Sequence, residues 1–335
     1  MADAKTLKSK LASGDFDARL KEVYLSDRAV ADQKERDAVI IDEFVKLFGD
    51  SDSIELFSAP GRTEVGGNHT DHNHGKVLAA GVDLDTVAAA AKRGDNIIVE
   101  KSFKFDALEV DITDLDVHKE EFGKSSGLIR GICAGFVNRG YKIGGFNAAS
   151  MSRVLSGSGL SSSAAYEVLI ATILNHLYND GSISDVEIAK IAQFAENEYF
   201  GKPCGLLDQM TSSVGGFITI DFEDPSKPVI NKVDFDFASC GHALCIVDTG
   251  GNHADLTDDY ASIRKEMESA AEVFGKSVLR EVDEDELMQN ISLVREKVND
   301  RAVLRAMHFY AENKRVDAEI AALESGDFEQ FKKLV

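Results

Sequence analysis

No run of 18 apolar residues occurs in the chain, and its start, MADAKTLKSKLASGDF, holds no apolar stretch of the kind an export signal carries. Neither a membrane span nor a signal peptide is therefore read, and a cytoplasmic location is expected. Cysteine is scarce: Cys133, Cys204, Cys240 and Cys245 include no C-x-x-C pair, which fits reduced thiols better than a disulfide framework or a zinc ribbon. Positive charge is also short, with 37 Lys and Arg against 58 Asp and Glu and a formal net charge of −21. That balance excludes a sequence-independent grip on a phosphate backbone, so no nucleic-acid partner is expected, and an anionic small molecule would need local shielding. Low-complexity segments are absent. The one echo, SGDF at 13–16 and again at 325–328, reads as a helix N-cap phrase used twice.

What is present fits a globular enzyme-sized chain. A hydrophobic share of 44% over 335 residues is enough for two lobes, each of roughly 100 to 200 residues by the usual domain scale. Residues 1–50 are charged with helical spacing, seen at Val39, Ile40, Phe44 and Leu47, and read as a helical lead. A first lobe follows over 51–225. Strand-like runs fall at Ile54 to Phe57, before a turn at Ala59-Pro60-Gly61, and at Thr86 to Ala90, Ile97 to Glu100, Leu108 to Ile112 and Phe217 to Phe222. Helical periodicity marks Ser126 to Asn138, then Ala164, Val168, Ala171 and Leu174, then Ile188, Ile191, Ala192, Ala195 and Tyr199. The stretch Asp221 to Lys232, with two of four prolines, reads as a linker, and a strand at Ala243 to Val247 opens a second lobe of charged helices over 226–335.

Three short stretches carry chemistry. In LSGSGLSSSAA, residues 155–165, Gly157 and Gly159 let backbone N–H groups approach a ligand, and three serines lead into a helix whose positive end faces the loop. An anion cradle, with phosphate as its usual guest, is the reading. It is not the commoner P-loop: both G-K-S occurrences, at 123–125 and 275–277, lack the upstream glycine, with His118 and Ala270 there. A dinucleotide fingerprint fails because Ser162 stands where the third glycine belongs. In AENEYFGKPCGLLDQ, residues 195–209, Glu196 borders the apolar arc of its helix and Asp208 sits in a short apolar run. Spacing alone leaves each open between a structural acid and one with a chemical task. The third stretch, GRTEVGGNHTDHNHG at 61–75, gathers three histidines, an aspartate and two asparagines.

Together these segments resemble the signatures of the galactokinase family, within the superfamily that also holds homoserine, mevalonate and phosphomevalonate kinases. The resemblance runs from about Ile54 to the end of the chain. The family's sugar segment, G-R-x-N-x-I-G-E-H-T-D-Y-N-x-G, is matched by Gly61, Arg62, His69, Thr70, Asp71, Asn73 and Gly75, and its phosphate loop by Gly157, Ser158, Gly159, Leu160, Ser161, Ser162, Ser163 and Ala164, with Leu155 in place of the family's proline. Its P-C-G-x-x-D-Q motif places the catalytic aspartate at Asp208, its magnesium-binding glutamate falls on Glu196, and a tyrosine near the sugar corresponds to Tyr260.

The resemblance implies a two-lobe α+β fold, with mixed β-sheets flanked by helices and an active-site cleft between lobes. It implies phosphorylation of the C1 hydroxyl of D-galactose by ATP, with Mg2+ held by Glu196 and Ser162, Asp208 as base, Arg62 stabilising charge, and Asn68, His69, Asp71 and Tyr260 at the sugar. If 69–73 is extended, His69, Asp71 and Asn73 point one way and form a strip of donors and acceptors, whereas a metal site would need imidazoles converging in a geometry that alternation makes awkward. His72 and His74 are then solvent or packing residues. Two departures stand out. Asn68 and His72 replace the family's glutamate and tyrosine, which weakens the expected preference at C6; galacturonate, N-acetylgalactosamine or L-arabinose kinases, and a non-catalytic sugar sensor, are the alternatives. The chain stops at Val335, before the family's glycine-rich C-terminal segment, which implies truncation. Nothing in the sequence reports an oligomeric state.

Overall fold

The computed structural model describes residues 2–155, 157–247 and 257–335. Three helices come first: α1 (Ala4–Ser13), α2 (Asp17–Tyr24) and α3 (Asp27–Phe48). Asp3 caps α1 by accepting from the Thr6 amide and Gly14 ends it at φ 88°, while the Ser26 hydroxyl caps α3 by accepting from the Ala29 amide. Strands β1 (Glu55–Gly66), β2 (Lys76–Lys92), β3 (Ile97–Ser102), β4 (Leu108–Asp111) and β5 (Phe146–Ser152) follow, with α4 (Ser125–Asn138) before β5. Next come α5 (Ser162–Asn179), α6 (Asp185–Ala195) and α7 (Leu207–Val214).

Contacts divide the chain into two units that alternate along the sequence: Met1–Gly61 with Val82–Val214, and Arg62–Gly81 with Gly215–Val335. The sequence expectation was of consecutive segments, with residues 1–50 apart from both lobes. In the first unit the strands run in the order β4-β3-β5-β2. β3 pairs parallel with β5, while β4 and β2 pair antiparallel with their neighbours, with Thr86 opposite Ser152 and Lys92 opposite Phe146. The sheet is mixed and covered on both faces. Ala88 and Ala90 join the core formed with α4, α5 and α6, whereas Ala89 and Ala91 join the core formed with α1 and α3, the two-residue period of a strand buried on both sides. The N-terminal helices are thus the second covering layer. They are pinned by a buried ion pair of Arg36 with Asp85; Arg36 Nη2 also donates to the carbonyls of Asp85 (3.0 Å) and Met151 (2.9 Å). The Tyr24 and Ser58 hydroxyls donate to the other Asp85 oxygen at 2.5 and 2.6 Å.

In the second unit the first half of β2 pairs antiparallel with β6 (Phe217–Asp221), which pairs antiparallel with β7 (Val229–Val233). Helices α8 (Thr257–Glu272), α9 (Glu284–Gln289), α10 (Ile291–Lys297), α11 (Asp300–Glu324) and α12 (Phe328–Leu334) complete it. Leu78, Val233, Val316, Leu323 and Phe331 form one core, and Met267, Leu279, Leu287, Ala306 and Phe309 another. The α+β class is as expected, and three local expectations are corrected. The turn at Ala59-Pro60-Gly61 lies inside β1. The linker holds β7, because Pro225 and Pro228 both precede the strand and remove no ladder donor from it. Ala243 to Val247 forms no regular strand and is exposed.

Candidate active site

The glycine-serine loop is built by its two ends. Val154, Leu160 and Ala165 pack with Val82 and Leu84, fixing where the loop leaves β5 and enters α5. Between them Gly157, Gly159 and Ser161 all have left-handed backbones, with φ of 77°, 78° and 56°. Alternating a left-handed residue with an ordinary one turns successive N–H groups toward one side, the geometry of an anion nest. Gly61 of β1 lets the loop come close, since a Cβ there would stand 3.0 Å from the Leu160 carbonyl. Ser158 Oγ donates to the Leu155 carbonyl at 2.6 Å, while Ser162 and Ser163 sit half-buried in the first turn of α5. Ser161 reaches elsewhere: its hydroxyl donates to Asp208 Oδ2.

Asp208 lies in the first turn of α7, half-buried. The P-C-G break before it is held by Asn197, whose Oδ1 accepts from the Cys204 amide at 2.7 Å, and by Gln193, whose amide donates to the Cys204 carbonyl at 3.3 Å. Ser212 Oγ ties α7 to the Pro60 carbonyl at 2.7 Å. Glu196 opens a π-helical turn, Glu196–Phe200, closed by Gly201 at φ 78°. Such widened turns recur at functional sites. Its carboxylate is 2% exposed, accepts from Gln209 Nε2 at 2.7 Å and pairs with Lys202 at 3.0 Å. The same Gln209 amide donates to Glu167 at 3.0 Å. Burial and the neighbouring Glu196 charge hold the Glu167 carboxyl well above the ordinary range, and its Oε1 has no hydrogen-bond partner among the described residues. The two buried carboxyl groups share one amide, and Glu196, the one that Lys202 pairs with, supplies oxygen donors of the kind a hard divalent cation such as Mg2+ prefers, although no group of three metal-ligating side chains converges among the described residues.

In the second unit the histidine-rich segment is not extended. Gly67 and His69 are left-handed at φ 88° and 59°, Asp71–Asn73 form a 3-10 turn, and His74 is left-handed again. Thr70 holds the curl: its hydroxyl lies 2.8 Å from both the Gly67 and Lys76 carbonyls, which share its one proton, joining the two ends of the loop. The expected strip of alternating His69, Asp71 and Asn73 is therefore corrected. Asn73 is fully buried, accepting from the Leu279 amide at 3.0 Å, with its Nδ2 3.0 Å from His72 Nδ1. Asn68 is exposed and His69 and Asp71 are half-buried on the same loop; Arg62 is half-buried on β1. Burial lowers the His69 pKa, with His308 and Arg305 adding to the effect and Asp71 opposing it, so the ring is neutral at pH 7. Ser156 and the Tyr260 side chain lie outside the described residues.

Sequence reading missed several neighbours of these groups. Glu167, a lone acid on the apolar α5, was a visible signal, whereas Glu312 and His308 of α11, which contact the Asn68 backbone, gave none from some 240 residues away.

Residues 42–92 match the galactokinase galactose-binding signature, and residues 127–216 match the N-terminal domain of the GHMP kinases. The galactokinase of Clostridium tetani is 30% identical over 300 residues, spanning 88% of this chain and 74% of that protein. That of Streptomyces coelicolor is 32% identical over 289 residues, spanning 85% and 73%. Among solved structures, Lactococcus lactis galactokinase complexed with galactose superposes with a TM-score of 0.72 at 24% identity over 89% of this chain and 76% of that one, a likeness of fold. Two unlike stretches of sequence, a galactose-binding signature and a kinase domain, are thus matched along one chain. The protein is a sugar kinase of the galactokinase family.

Proposed function

We propose that the protein transfers the γ-phosphoryl group of ATP to the C1 hydroxyl of D-galactose, giving galactose 1-phosphate and ADP. One observation carries the reading: Asp208, the candidate base, is hydrogen-bonded to Ser161 of the glycine-serine loop, so the group that takes a proton and the loop that takes phosphates are one assembly. Asp208 accepts the C1 hydroxyl proton as the oxygen attacks phosphorus. The N–H groups of Gly157 to Ser163 and the positive end of α5 hold the triphosphate, and Arg62 offsets negative charge as it develops. Glu196 and Ser162 would hold Mg2+, which when bound would supply positive charge against the phosphates. Gln209 fixes the Glu196 carboxylate, and the π turn keeps it out of bulk water. Asn68, His69, Asp71 and Tyr260 contact the sugar; the neutral His69 ring both donates and accepts, which suits hydroxyl groups. Catalysis is mainly positioning and electrostatics.

The test is Asp208→Asn, which removes the base and keeps the shape. Turnover of ATP with galactose should fall by about two orders of magnitude or more, while galactose still raises the melting temperature. Near-normal turnover would remove Asp208 from the role of base.

A further inference from the structure

Helix α11 grips the loop that carries Asn68 and His69 at both of its ends. His308 with Glu312, and Asn313 with Asp317, form two pairs four residues apart, each pair stacked one turn above the other on its own side of the helix. At the near end, Glu312 Oε2 accepts from the Gly67 and Asn68 amides at 3.1 and 3.3 Å, and His308 Nε2 lies 2.8 Å from the Asn68 carbonyl, so that nitrogen carries the proton and donates. At the far end, Asn313 Oδ1 accepts from the Lys76 amide at 2.7 Å and Asp317 pairs with the Lys76 ammonium at 2.8 Å. Arg315 holds the other Glu312 oxygen at 2.7 Å, which orients the carboxylate.

The near-end contacts do something the loop cannot do alone. Both polar groups of the Asn68 main chain end on α11, and the next residue, His69, holds a left-handed backbone that a non-glycine residue adopts only at some cost. With the Asn68 peptide free to turn, His69 would relax toward the ordinary region and both side chains would swing. We propose that His308 and Glu312 are positioning residues for sugar recognition: they touch no substrate but set the aim of the Asn68 and His69 side chains. The inference rests on the reading of Asn68 and His69 as sugar contacts.

Their role is separable from a merely structural one by which Michaelis constant moves. His308→Leu removes the donor to the Asn68 carbonyl, while His308→Gln keeps an N–H of comparable reach. With galactose and ATP each varied at saturation of the other, His308→Leu should raise KM for galactose about tenfold, the size expected for one lost hydrogen bond, with KM for ATP and kcat within about twofold of the parent. His308→Gln should restore most of the loss. Glu312→Gln, which keeps an acceptor but not the charge, should raise KM for galactose about threefold and serves if His308→Leu does not fold. An unchanged KM for galactose in His308→Leu, or parallel losses in both KM values and kcat, would overturn the proposal. His69→Ala separates the two readings. If it leaves KM for galactose unchanged, the sugar assignment fails and this inference with it; if it raises that KM while His308→Leu does not, only the clamp fails.

Discussion

Glu319 of α11 is fully buried, its two carboxylate oxygens have no hydrogen-bond partner among the described residues, and it rests so closely against Gly66 that a Cβ there would overlap it. Burial, with the nearby Glu312 charge adding to it and Arg315 opposing it, raises its pKa from about 4.5 to about 7. Between those two values the folded protein keeps a proton that the unfolded chain gives up, so this group makes stability fall as pH rises through the window. At 1.36 kcal/mol per pKa unit, a shift of two to three units corresponds to about 3 kcal/mol, complete once the pH exceeds the folded value. Glu319→Gln keeps the shape and removes the titration. Urea unfolding at intervals from pH 4 to pH 8.5 should therefore give two curves offset by a constant at the acid end, with the variant gaining on the parent by about 3 kcal/mol toward pH 8. Asp37, which burial also pushes up to about 7, slopes both curves alike and cancels in the difference. A difference that does not change with pH would refute the reasoning, and a variant that loses ground at high pH would mean that the ionised carboxylate has a cation to meet.

Arg36→Leu leaves the Asp85 carboxylate buried with only hydroxyl donors and two carbonyls uncapped; it should cost about 3 to 5 kcal/mol in urea unfolding, and a loss under about 1 kcal/mol would show that water reaches Asp85. Asn68→Glu puts a strong acceptor on the exposed side chain of the sugar loop and should sharpen the preference for galactose over galacturonate by roughly 1 to 3 kcal/mol in kcat/KM. An unmoved ratio would mean that residue 68 does not face C6.

Elements that depend on local spacing were legible in the sequence. The glycines and serines before α5 announced a loop leading to a helix N-terminus, and the apolar periods of α5 and α6 announced those helices. Elements decided by distant partners were not. Alternation along 69–73 presumes an extended chain, and what holds it curled is the Thr70 hydroxyl bridging two carbonyls, a tertiary fact about the loop ends. β7 was hidden because its prolines lie just outside it while its partner β6 decides the pairing. The acid at 196 was visible as awkwardly placed, but the amide that joins it to Glu167 lies thirteen residues further on, beyond the P-C-G break.

The reach of α11 back to residues 67–76 also orders events in time. A ribosome releases the sugar loop early, whereas its clamp is added more than two hundred residues later, a wait of roughly ten to forty seconds at ordinary elongation rates. The first unit draws on nothing beyond Val214 and has all of its chain before α11 exists. The loop proposed to recognise the sugar is thus among the first segments made and among the last to be fixed, and a nascent chain stalled before residue 300 would carry its glycine-serine loop without His308 and Glu312.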